Sequence, residues 1–139
     1  MIGVWWVLAG CPASGLPTAT LQVDGHPLTV EVAATPETRA AGLMFRDALG
    51  AEAGMVFVYP DEAQRSFWMK DTRIPLSIAY VDSGGMIVHI ADMTPFSTAG
   101  VPSVQPAKYA IEVNQGWFAA KGVEVGRSEE HTAELQSPC

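Results

Sequence analysis

Phe67-Trp68-Met69-Lys70-Asp71-Thr72-Arg73-Ile74-Pro75-Leu76 runs directly into Ser77-Ile78-Ala79-Tyr80-Val81-Asp82 and then into Ser83-Gly84-Gly85. The first ten residues hold an aromatic pair, a thioether, a cation and a Pro-ended turn. Asp71-Thr72-Arg73 before Ile74-Pro75 reads as a turn whose Asp and Thr side chains satisfy backbone groups. Residues 76–82 read as a strand rich in β-formers, and Gly84-Gly85 is a hairpin signal. Met86-Ile87-Val88-His89-Ile90 is the returning strand. A strand, a tight turn and a second strand make this region antiparallel β structure.

The same grammar extends in both directions. Thr20-Leu21-Gln22-Val23 and Leu28-Thr29-Val30-Glu31-Val32 each alternate, and Asp24-Gly25 between them predicts a two-residue hairpin. Thr35 is a good helix N-cap, Pro36 suits the first helical position, and Thr38 extends the cap. A short helix is expected over residues 36–41, stopped at Gly42. Gly54-Met55-Val56-Phe57-Val58-Tyr59 is a continuous apolar strand, expected to end at Pro60. Residues 66–70 read as the next strand and residues 93–106 as a loop. Tyr109-Ala110-Ile111-Glu112-Val113 is a further strand. Gly116 to Gly122 is one helical turn bounded by glycine, and residues 123–125 begin another strand. Many short strands with regular turn signals predict a mainly β fold, a compact antiparallel sandwich or distorted barrel with one or two short helices.

The chain has 139 residues, enough for one domain. Ten Pro and thirteen Gly argue against long helices. Eight Lys and Arg against fifteen Asp and Glu give a net charge of −7. The cations are scattered singly, so nucleic acid is not an expected partner. The two cysteines, Cys11 and Cys139, lie at opposite ends, and a disulfide between them is not expected. The intervening domain has no cysteine, which excludes thiol catalysis, Cys-type zinc sites and iron–sulfur ligation within it.

Residues 1–10, Met-Ile-Gly-Val-Trp-Trp-Val-Leu-Ala-Gly, are apolar and too short to span a bilayer, which takes about 20 residues. They fit the end of a secretory signal. Leu8-Ala9-Gly10-Cys11 resembles the bacterial lipobox, which would make Cys11 the lipidated residue. Residues 12–17 would then be a tether. No basic residue precedes Cys11, so the readings of cleavage without lipidation and of a plain apolar tail stay open. The chain is expected to be exported in a bacterium, as a periplasmic protein or a membrane-anchored lipoprotein. Residues 127–139 resemble the conceptual translation of a common sequencing adapter. The expected organisation is therefore 1–19 signal and tether, 20–126 one β domain, and 127–139 an artefactual tail.

Several blocks, in order and spacing, resemble the family called domain of unknown function 192. They are Arg39 with Gly42-Leu43-Met44-Phe45-Arg46, Gly54-Met55, Phe67-Trp68-Met69-Lys70-Asp71-Thr72, Pro75-Leu76, Tyr80-Val81-Asp82, Gly85, and Ile111-Glu112-Val113 with Gly116. The resemblance implies a compact, mostly β, often exported domain. It implies no activity, cofactor or catalytic set.

The polar residues in these blocks supply the candidate site. Arg46 and Lys70 offer cations for a carboxylate, phosphate or sugar acid. Trp68 offers a stacking face for a sugar or peptide. Asp82 and Glu112 complete the candidate ligand-binding set. A competing reading makes Lys70 and Glu112 one buried ion pair that fixes strand register. No G-x-S-x-G, zinc spacing or phosphate loop occurs, and catalytic residues are not assignable. The leading expectation is a cell-envelope binding or accessory module for a small anionic, carbohydrate or peptide ligand, or for an envelope protein, with no cofactor. One alternative is an envelope enzyme with Glu112 or Asp82 as acid or base. Another is a copper site built from Met44, Met55, Met69, Met86 and Met93 with His89, although methionines among apolar neighbours ordinarily fill core gaps.

Overall fold

The computed structural model describes residues 14–127 and the backbone of residues 129 and 130. Cys11, His131 and Cys139 lie outside the described residues. In chain order the elements are β1 (Thr18–Val23), β2 (His26–Ala33), α1 (Pro36–Ala41), β3 (Ala53–Ala63), β4 (Ser66–Phe67) and β5 (Leu76–Val81). There follow β6 (Ile87–Met93), β7 (Val101–Pro102), β8 (Ala107–Asn114), α2 (Trp117–Ala120) and β9 (Glu129–Glu130). No helix among the described residues is long and apolar enough to cross a membrane.

The fold is mainly β. The main sheet has the order β6-β5-β8-β3-β2-β1-β9, and β4 pairs with β7 in a separate two-stranded sheet. The main sheet is mixed and is not closed into a barrel. The mixing arises at one place. β2 and β3 are parallel, with Val30 beside Gly54 and Val32 beside Val56. Parallel neighbours require a crossover, and α1 lies in that connection. Its start is built as its sequence requires: Thr35 and Thr38 form a reciprocal capping box, with Pro36 in the first turn. The other strand pairs are antiparallel as expected, and the exception stands where a helix, rather than a turn, joins two strands.

The two hairpins stand where the turn residues place them. Val23 pairs with His26 around Asp24-Gly25, and β5 pairs with β6 around the Ser83-Gly84-Gly85 turn. Three expectations need correction. β3 continues through Pro60, whose missing N–H falls in the register shift between Val58 and Ala63. The strand expected over 66–70 is confined to Ser66–Phe67, after which the Met69–Thr72 turn closes, the Thr72 N–H donating to the Met69 carbonyl at 3.1 Å. Residues 123–125 form no strand. Val123 instead buries its side chain, and the backbone of Gly126 and Arg127 bonds to Ile87 at 2.8 and 2.9 Å. Beyond it, Glu129–Glu130 pairs with Gln22 and Val23 of β1.

Alternation along the central strands sends successive side chains to opposite faces. One face gathers Leu28, Val30, Val56, Ala79, Val81, Ile111 and Val113 with Trp117 and Phe118 of α2. The other gathers Met55, Phe57, Met69, Ile78, Tyr80, Met93 and Ala110 with Leu43 from the segment after α1. Glu112 lies between Ile111 and Val113 on β8, so its side chain belongs to this second face.

Candidate functional site

Glu112 sits in the middle of the sheet. Its register partners are Met55 on β3 and Ile78 on β5, both fully buried. Gly54 permits this close pairing, because a Cβ there would stand 2.5 Å from the Glu112 carbonyl oxygen. Glu112 is 4% exposed, and its carboxyl has no hydrogen bond or ion pair with any described residue. Burial raises it from the ordinary 4.5 to about 8, since removing a carboxylate from water disfavours the charged form. Near neutral pH the group is therefore mostly a neutral acid, with one donor and an acceptor.

This acid lines a cleft of about 320 Å³. Arg39 and Ala40 of α1 form one wall, Leu43 and Met44 follow, and Phe57, Tyr59, Phe67 and Trp68 supply aromatic surface. Gly42, at φ +48°, turns the chain into this wall, and a Cβ there would lie 3.4 Å from the Phe57 ring. Phe67 sits edge-on to Phe57 and to Tyr80, at centroid distances of 4.8 and 5.7 Å, an arrangement favoured by ring quadrupoles. The guanidinium groups of Arg39 and Arg65 lie over the Tyr59 ring, at 4.6 and 3.8 Å. Arg39 also donates from Nη1 to the carbonyls of Ala34 and Val58, at 2.9 and 3.0 Å, which ties α1 to β3. Burial raises the Tyr59 phenol while the two arginines pull against it. Tyr80 is raised far more, by burial and then by Glu112, and its hydroxyl donates to the Val101 carbonyl.

Of the five residues proposed from sequence, the cleft contains Trp68 and Glu112. Lys70 is exposed beside the cleft, with Nζ 5.5 Å from the Trp68 ring. It does not pair with Glu112, so the expected Lys70–Glu112 ion pair is absent: the turn after Trp68 carries Lys70 to the surface while β8 keeps Glu112 inside. Arg46 is ion-paired with Glu31 on β2 and is not among the residues lining the cleft. Asp82 shapes the β5–β6 turn, its Oδ1 accepting from the N–H groups of Gly84 and Met86 at 3.0 and 2.9 Å. Arg39, Phe57, Tyr59 and Phe67 were not singled out as ligand candidates in the sequence. Their apolar or isolated settings carry no chemical signal, and only the helix crossover brings Arg39 over β3.

The methionines are dispersed. Met55, Met69 and Met93 are buried in the second core cluster, Met44 is half-buried in the cleft wall, and Met86 is exposed at the hairpin. His89 stacks against Tyr80 across the β5–β6 pair. Among the described residues no three His, Cys, Asp or Glu side chains are grouped as metal ligands would be.

The family model for DUF192, described as Uncharacterized ACR, matches residues 19–131. The chain belongs to the DUF192 family. Two solved structures are similar along most of their length. A protein of unknown function from Novosphingobium aromaticivorans DSM 12444 is 35% identical with a TM-score of 0.79, over 88% of this chain and 91% of that one. A protein from Sinorhizobium meliloti 1021, provisionally described as a transcription regulator, is 33% identical with a TM-score of 0.76, over 82% and 92%. No curated protein matches this DUF192 chain.

Proposed function

We propose that this DUF192 domain is a binding module of the bacterial cell envelope that takes a small uncharged polar ligand, a carbohydrate or peptide segment, into the Glu112 cleft. One observation carries the reading: a buried acid without a partner among the described residues lines a cleft with aromatic walls. A buried polar group left unsatisfied is costly and needs an explanation. A ligand hydroxyl or amide would satisfy it, since a neutral carboxyl both donates and accepts. Trp68, 49% exposed, offers its ring face to the apolar side of a sugar or peptide. For an anionic ligand the cleft offers Arg39, whose Nη1 is already bonded to the Ala34 and Val58 carbonyls, while Arg46 is neutralised by Glu31 and Lys70 lies outside the lining. The envelope location rests on the lipobox-like Leu8-Ala9-Gly10-Cys11, with Cys11 as the lipidated residue.

A second reading has one observation in its favour. A carboxyl that titrates near neutrality is matched to general acid–base work, which would make Glu112 the acid of an envelope enzyme. Among the described residues that line the cleft, Glu112 is the one carboxylate, so a paired-carboxylate glycosidase mechanism finds no second member among them.

The binding reading is tested by titrating the full chain with neutral methyl glycosides and blocked dipeptides, followed through the backbone amides of Phe57 and Glu112 and the Trp68 indole. Saturable shifts at these positions are expected, weakened roughly tenfold by Trp68→Ala and abolished by Glu112→Ala. Shifts that both variants leave unaltered, or no shifts with either class, would sink it.

A further inference from the structure

We propose that Phe45, Trp68 and Phe96 form a membrane-facing surface that docks the domain on the lipid interface beside the point where its N-terminal segment emerges. Phe45 is 66% exposed and Phe96 61%. Three backbone segments are stitched together to present these rings. The Phe45 N–H donates to the Asp71 carbonyl at 2.9 Å, the Phe96 N–H to the Thr72 carbonyl at 3.1 Å, and the Met69 N–H to the Ser97 carbonyl at 2.8 Å.

Phe45, Asp71 and Phe96 all have positive φ, at 64°, 52° and 64°. That region is unfavourable for bulky residues. A surface that only needed to turn the chain would be more stable with Gly or Asn at 45 and 96. Instead, strained backbone holds two apolar rings out into solvent, one on each side of the turn that follows Trp68. Strain retained at an exposed position points to use rather than to packing. Lys70 lies in the same turn, where a long cationic side chain reaches lipid headgroups while aromatic rings sit at the interface; Arg73, in that turn too, is ion-paired with Asp47.

The occupant is identified by where the rest of the chain goes. Ser14, the first described residue, donates its hydroxyl to Glu31, and Glu31 holds Arg46, the neighbour of Phe45. Leu16 packs on the same core cluster as Leu43 and Met69. The chain therefore leaves the domain on the side that carries the aromatic rim. Only two residues separate Ser14 from Cys11, three steps with a reach of about 10 Å, and residues 1–10 before it are apolar. A chain tied to lipid at or before Cys11 would bring this rim to the bilayer surface. The net charge of −7 favours apolar insertion over attraction to anionic lipid. Trp68 also lines the cleft, so the surface shares that ring with the proposed ligand site, while Phe45 and Phe96 belong to the rim alone.

The test uses the full chain and phosphatidylcholine vesicles with brominated acyl chains, whose bromines quench nearby tryptophan. Subtracting the signal of Trp68→Phe isolates Trp68 from the other tryptophans. The expected result is vesicle binding with Trp68 quenched. In F45N/F96N, Asn tolerates the left-handed backbone, so the thermal midpoint should hold or rise. Trp68 quenching should vanish, and partitioning should fall by about tenfold or more, or hold only through the N-terminal segment. Vesicle-bound wild type with Trp68 unquenched would overturn the proposal, as would a double variant quenched like wild type. Absence of vesicle binding together with rim-dependent self-association would overturn it in favour of a second copy.

Discussion

The two faces of the main sheet are built from the same strands and do different things. On one face, side chains from β1, β2, β3, β5, β8 and α2 make a continuous apolar cluster. On the other, the alternation that buries Met55, Ile78 and Tyr80 also buries Glu112, and the covering elements leave a cleft beside it. The first face shows what the fold needs for stability. The second shows what it tolerates beyond that need. This difference predicts unequal responses to the same truncation. Phe118, 2% exposed and edge-on to Trp117 at 5.5 Å, should cost about 3–5 kcal/mol as Phe118→Ala. Phe67→Ala, at the half-open cleft, should cost about 1–3 kcal/mol, because part of its surface already meets water. Denaturant unfolding of the two variants checks this, and equal losses would mean the cleft face is packed as tightly as the other.

The next effect comes from Glu112 alone. Its carboxyl is raised from 4.5 to about 8 in the folded protein, so between those values the native state holds a proton that the unfolded chain has released. The native state binds more protons there, and stability must fall as pH rises through the window. Each pH unit of full difference is worth about 1.4 kcal/mol, which puts the loss between pH 6 and pH 8 at about 2 kcal/mol. Glu112→Gln, which keeps a neutral donor and acceptor, should flatten that slope. Unfolding curves at pH 6, 7 and 8 decide it: a wild-type slope equal to that of the variant would show that Glu112 is solvated or paired.

How legible this was from sequence follows the range of each interaction. Both hairpins, the capped helix and the apolar strands are written in neighbouring residues: Asp24-Gly25, Gly84-Gly85, and Thr35-Pro36 with Thr38. The parallel β2–β3 pair is not, because nothing local to either strand states which neighbour it takes. Glu112 stood out as a charged residue inside an apolar strand, and Trp68 as an aromatic within a family block. Arg46 and Asp82 stood out for the same reason, yet a nearby carboxylate and a turn claim them. Type and spacing mark such residues as constrained, without showing which partner satisfies them. Phe45 lay in a family block and Phe96 in a loop, yet neither read as an exposed ring, since an exposed ring on a left-handed backbone is a property of φ and accessibility rather than of composition.

Lys70 gives the smallest effect and sharpens the comparison most directly. If the polarity of the cleft face resided in an ion pair, removing the cation would strand a buried carboxylate, at a cost of about 3–5 kcal/mol. In the structure Lys70 is exposed, its Nζ is 5.5 Å from the Trp68 ring, and Glu112 has no cationic partner among the described residues. An exposed cation–π contact contributes about 0.5–1 kcal/mol at most, and surface substitutions mostly fall within about 0.5 kcal/mol. Lys70→Ala should therefore shift stability by no more than about 0.5 kcal/mol and leave the slope between pH 6 and 8 as it is in wild type. A large loss at pH 8, or a changed slope, would show that Lys70 compensates Glu112 across the cleft. The neutral-acid description of the site would then give way to a buried ion pair, and the second face would be as structural as the first.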